Sequence, residues 1–124
     1  MKKTLRLLAA LALFAGCSDP LSIEDYYGIW GAEGVRLTLS ITQARFETSC
    51  WAGEMAMPIH VDDEQFTAIG NIHWQGGAGG SESRAVILNG RLDGDEMRLT
   101  VETSVPLGPY TLHRGAQVEI PGCP

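Results

Sequence analysis

The chain has 124 residues, 44% hydrophobic and 19% charged, with a formal net charge of −6. Three of its nine basic residues, Lys2, Lys3 and Arg6, crowd the N-terminus; beyond them six arginines face fifteen carboxylates, a balance of −9 with no basic run. That length fits one domain, and that charge argues against nucleic acid and anionic lipid headgroups as partners.

The first element reads as a targeting segment rather than part of the fold. Lys2, Lys3 and Arg6 form a positive stretch, Leu7 to Ala15 is an uninterrupted apolar run of nine residues, and Ala15-Gly16 places two small residues before Cys17. This is the tripartite layout of a secretory signal. A helix needs about 20 apolar residues to cross a bilayer core, so the run is too short to persist as an anchor. Residues 1–16 are expected to be removed as a signal peptide, 17–21 to form a tether, and 22–124 to fold as one β domain.

Phe14-Ala15-Gly16-Cys17 resembles the lipobox of bacterial lipoproteins, with Phe14 where that family favours Leu. The resemblance implies a diacylglyceryl group on the Cys17 thiol, cleavage before Cys17 and acylation of the new amine. Two acyl chains hold a protein to a membrane stably where one does not. Ser18 then implies, by the sorting rule of well-studied diderm bacteria, an outer-membrane anchor with the domain facing the periplasm. The plain alternative is a cleaved signal beside a chance cysteine.

With Cys17 assigned to lipid, Cys50 and Cys123 remain as an even pair in an oxidising compartment. They are expected to form one disulfide closing a loop of about 70 residues, worth roughly 4 kcal/mol on a chain-entropy account, and to pin the C-terminus to the body. The alternative is a reactive or metal-binding thiol pair, which no CxxC spacing supports.

Ser22-Ile23-Glu24-Asp25 predicts a short helical turn, with Ser22 capping and Asp25 reaching back. After it the hydrophobic period is near two. Val35, Leu37, Leu39 and Ile41 alternate with Arg36, Thr38 and Ser40, and Met97, Leu99, Val101 and Thr103 with Arg98, Thr100 and Glu102. Phe46, Thr48 and Cys50, and Met55, Met57, Ile59 and Val61, alternate likewise, each set reading as a strand with one buried face. Pro58 places its strand at an edge or an irregular position. Gln65 to Gln75 and Ala85 to Leu88 are apolar on both faces and predict strands covered on both sides. Trp51-Ala52-Gly53, Asp62-Asp63-Glu64 and Asp93-Gly94-Asp95 read as reversals, the last as a hairpin turn. Gly76 to Ser81 reads as a mobile hairpin tip, because it lacks the Lys-Ser/Thr and the helix that a phosphate cradle needs. Strands are expected near 28–33, 35–41, 44–50, 54–61, 65–75, 84–93, 96–104 and 109–115. The fold class is therefore all-β: a small eight-stranded antiparallel meander barrel with a short N-terminal helical turn.

Gly28-Ile29-Trp30 at the first strand and Arg114 on the last resemble the calycin superfamily of lipocalins, fatty-acid-binding proteins and avidins. There a Gly-x-Trp meets a basic residue, and the resemblance implies Arg114 packing over Trp30 to close the barrel's base. Trp30-Gly31-Ala32-Glu33, Cys50-Trp51-Ala52-Gly53 and Leu112-His113-Arg114-Gly115 before a terminal cysteine are also similar to a group of small bacterial lipoproteins. Ala32 and Trp51 depart from that group's pattern, and the group has no assigned activity.

Chemistry is scarce. No HExxH, Gly-x-Ser-x-Gly or Ser-x-x-Lys is present, and the only histidines are His60, His73 and His113. His60 and Asp62 share a strand face, a weak metal pair at best. No catalytic role, cofactor or metal is expected. The leading expectation is a non-enzymatic, membrane-tethered envelope protein acting as a binding or scaffold module, its protein partner unknown. The second is a periplasmic inhibitor of an envelope hydrolase, by fold analogy with small-barrel inhibitors of lysozyme and of serralysin-type metalloproteases. The third is a carrier of a small apolar ligand lined by Met55, Met57 and Trp74, although an eight-stranded interior is just wide enough for its own side chains to fill.

Overall fold

The computed structural model describes residues 21–62, 64–77 and 82–124. The predicted signal peptide, the lipidation of Cys17, nearly all of the tether, and residues 78–81 of the glycine-rich tip lie outside the described residues. Among those described, the only helical element is a 3₁₀ turn, Ile23–Tyr26. Nine strands follow: Gly28–Ala32 (β1), Val35–Leu39 (β2), Ala44–Thr48 (β3), Trp51–Glu54 (β4), His60–Asp62 (β5), Gln65–Trp74 (β6), Ser83–Asp93 (β7), Glu96–Glu102 (β8) and Tyr110–Arg114 (β9).

All nine belong to one antiparallel sheet. Its order is β4-β3-β2-β1-β9-β8-β7-β6-β5, and a further pairing of β4 with β6 joins the ends. The result is a closed eight-stranded barrel. β4 and β5 are two halves of one broken stave, both lying along β6: Trp51 and Ala52 pair with Trp74 and His73, and His60 to Asp62 pair with Thr67 to Gln65.

That break corrects the continuous strand predicted over 54–61. Met55 still bridges to Gly70, but the ladder stops there and resumes at His60. Pro58 has no N–H to give the sheet, so the stave leaves the ladder around it. Trp51-Ala52-Gly53 is strand rather than reversal. The chain turns earlier, at Ser49-Cys50, where the Thr48 Oγ1 accepts the Trp51 N–H at 3.0 Å and donates to the Trp51 carbonyl at 3.2 Å. Ile41 does not extend β2. It is 78% exposed at the tip of a turn closed by the Ser40 N–H donating to the Gln43 carbonyl.

Alternation places the core. Val35, Leu37, Leu39, Phe46, Phe66, Ala68, Ile72, Val86, Leu88, Met97, Leu99 and Leu112 point inward and are buried. The predicted two-sided cover of β6 and β7 is absent: Ile69, 57% exposed, and Ala85 stand on the outer face. Two-residue periodicity put one apolar set inside, and nothing in the described chain lies over the other. Inside, the Phe66 ring lies across its cross-strand neighbour Gly90, where a Cβ would sit 1.9 Å from the ring.

The last residues leave the barrel wall. From Gly115 the chain runs without strand structure over the outside of β1, so closely that a Cβ on Gly31 would meet the Ala116 carbonyl oxygen at 3.0 Å and Val118 at 3.1 Å. It ends at a Cys50–Cys123 disulfide, which links positions 73 apart in sequence.

Candidate functional site

The barrel has a base, where the 3₁₀ turn sits, and a rim at the opposite end, where the β3–β4 and β6–β7 connections lie. The base is built by the N-terminal turn. The Asp25 carboxylate accepts the Ser22 N–H at 2.7 Å, and the Asp25 N–H donates to the Ser22 carbonyl at 3.1 Å. This tight turn drops the Tyr26 ring into the barrel. It is fully buried and meets Phe66 edge-on at 5.4 Å. Its carbonyl accepts the Trp30 indole N–H at 2.9 Å.

Arg114, opposite Trp30 in the β1–β9 ladder, completes the arrangement. Its guanidinium carbon lies 4.2 Å from the Trp30 ring centroid. Its Nη1 donates to the Tyr27 carbonyl at 2.9 Å and its Nη2 to the Asp25 carbonyl at 2.8 Å. Nε reaches the Asp95 carboxylate at 3.3 Å. One planar fork thus binds the 3₁₀ turn, the first strand and the β7–β8 hairpin together, which lysine's single ammonium would not reproduce. The side chain is 34% exposed, so the guanidinium is not fully desolvated and its contact with the indole contributes about 1 kcal/mol.

Beside this fork an open cleft of about 510 Å³ is lined by Leu21, Asp25, Glu64, Leu92, Asp93, Gly94 and Arg114. The Tyr26 hydroxyl is buried and has no hydrogen-bond partner among the described residues. Burial raises its pKa, and the Asp25 and Glu64 carboxylates add to the rise. Hydrophobic patterning does not single out Tyr26. The available signal was its position four residues before Trp30, at the end of the predicted turn.

The rim is different in kind. Trp51 and Trp74 pair across β4 and β6 with ring centroids 5.3 Å apart, edge to face, and the Arg84 guanidinium lies 5.8 Å from the Trp51 ring. Trp51 is only 7% exposed, so its indole is a wall of the barrel mouth and not a free surface. Cys50 is next to it. No known protein family, curated protein or solved structure matches this chain. Whatever the barrel does is therefore to be read from its own geometry.

The residues predicted to line a ligand cavity take different positions around the core. Met55 is buried within the core cluster, while Met57, beside the break in the fourth stave, and Trp74, at the rim, are half-buried against it. Among the described residues these side chains join Tyr26, Trp30, Phe46 and Phe66 in one continuous core. His60 and Asp62 are both exposed on β5, and among the described residues no three His, Cys, Asp or Glu side chains converge. His113 approaches the Glu96 carboxylate at 3.8 Å on the open surface.

Proposed function

We propose that the chain is a non-enzymatic cell-envelope lipoprotein, anchored through acyl groups on Cys17, whose calycin-like barrel serves as a small binding or scaffold module. The observation that carries this reading is the filled interior. With Tyr26, Phe46, Phe66 and Met97 packed inside the barrel, recognition falls to its surface and ends, which favours a module over a carrier of apolar ligands. The lipobox-like Ala15-Gly16-Cys17 supports the location, and the disulfide fits an oxidising compartment. The Arg114–Trp30 contact between the first and last strands supports kinship of form with the calycins.

Mass analysis of the protein extracted from membranes tests this reading directly. It is expected to lack residues 1–16 and to carry acyl mass on Cys17. An unmodified Cys17 thiol would remove the anchor. An apolar ligand bound stoichiometrically inside the barrel would replace the module with a carrier.

A further inference from the structure

The C-terminal segment is attached to the barrel unequally along its length. At its start, the Gly115 N–H donates to the Ile29 carbonyl at 2.6 Å and the Arg114 N–H to the Asp95 carbonyl at 2.8 Å. Gly115 itself has φ +71°, a conformation suited to a hinge. Beyond Ala116, among the described residues, no hydrogen bond joins the segment to the barrel. Val118 rests on Gly31, Ile120 is half-buried, and Gln117, Glu119 and Pro121 face solvent. The far end is held by the Cys50–Cys123 bond, and both cysteines are only half-buried.

The turn that carries Cys50 does not depend on that bond. Thr48 closes it through both of its hydrogen bonds to Trp51, and the Gln75 N–H donates to the Cys50 carbonyl at 2.8 Å. Barrel closure is likewise independent, since it runs through the β1–β9 and β4–β6 ladders and the Arg114 fork.

We propose that residues 116–124 are a redox-released strap: reduction of Cys50–Cys123 by a dithiol frees them as a unit, hinged at Gly115, and uncovers the outer face of β1 at Gly31 while the barrel stays closed. The exchange is balanced. A reductant thiolate attacks one sulfur of the bridge, and the other leaves as a thiolate and takes up a proton. The second reductant thiol then resolves the mixed disulfide, so that the protein gains two thiols and the reductant departs as its own disulfide. The uncovered strip continues from Ile29, which is already 48% exposed on the same face, so release enlarges an apolar surface.

The test compares the oxidised protein with the same protein treated with dithiothreitol, using a Glu-specific protease and near-ultraviolet circular dichroism of the buried tryptophans. Cleavage after Glu119 is expected at least tenfold faster in the reduced protein, with the tryptophan signal unchanged. Cys123→Ser should show the fast rate without reductant. Gly31→Val, which puts a side chain where Val118 rests, should speed cleavage with the disulfide intact. Equal rates in the oxidised and reduced proteins overturn the proposal. Loss of the tryptophan signal on reduction at every temperature overturns it too, because the bond would then staple the whole fold and not a strap. Should Gly31→Val fail to fold, the comparison of Cys123→Ser with the oxidised protein decides.

Discussion

The base of the barrel is closed by groups bonded to the backbone, whereas the rim is tied by a covalent bond and two indoles. At the base, Trp30 donates to the Tyr26 carbonyl and Arg114 donates to those of Asp25 and Tyr27. Each of these residues depends on the others being in place. At the rim, Trp51 and Trp74 touch edge to face and Cys50 is joined to Cys123, but these contacts are largely separable. The contrast teaches that damage at the base should spread through the native structure, whereas damage at the rim should leave the native base in place even where it lowers stability through the unfolded chain.

The sharpest way to break the contrast is Trp30→Ala. It empties a fully buried site, orphans the Tyr26 carbonyl and removes the platform under Arg114. A loss of up to about 5 kcal/mol in urea denaturation is expected. Against the 5–15 kcal/mol typical of a domain (roughly), that leaves a large unfolded population. Cys123→Ser comes next: about 4 kcal/mol, and a Tm lower by roughly 20 °C in a thermal scan, because the unfolded chain regains the freedom of a long loop. Trp74→Ala should cost only about 2 kcal/mol, the half-buried indole and its edge contact with Trp51, with the base signals in an NMR spectrum unmoved. Base resonances that shift as much as rim resonances would erase the distinction.

The smallest change is Tyr26→Phe. It removes a buried hydroxyl that has no partner among the described residues, so stability should hold or rise by up to about 1 kcal/mol at neutral pH. Burial raises the folded-state pKa of both Tyr26 and Tyr110. In the unfolded chain these phenols ionise first, so their contribution is intact below about pH 10 and is lost as the pH climbs from there toward the folded-state values. Tyr26→Phe should therefore flatten the alkaline fall in stability, measured by urea denaturation at a series of pH values.

Period-two alternation made much of this fold legible. Val35-Leu37-Leu39 and Met97-Leu99 sit inside as their spacing predicts, and the cysteine pairing followed from parity of number. What was not legible has specific causes. Alternation says which residues share a face but not whether the opposite face is covered, so it does not reveal that Ile69 and Ala85 stand exposed. It also runs through Pro58 unbroken, whereas the ladder cannot. The reversal at Ser49-Cys50 is made by a Thr48 side chain bonding to both backbone groups of Trp51, a contact that composition does not announce. At the base, Trp30 and Arg114 could be read from two short motifs. Tyr26 could not, because its role depends on a 3₁₀ turn aiming a ring into the interior.

The Cys50–Cys123 bond also sets how the molecule would carry tension. Leu21 lies beside the base cleft, and Pro124 lies just beyond the bond to the β3–β4 turn. A pull between these two points passes up the first three strands, crosses the sulfur bridge and leaves, so the loop of chain between the two cysteines is bypassed. Stretched between Leu21 and Pro124, the oxidised protein should lengthen only by its first three strands, with the other staves outside the line of force. After reduction every strand lies in series, and the same pull can unravel the barrel from either side.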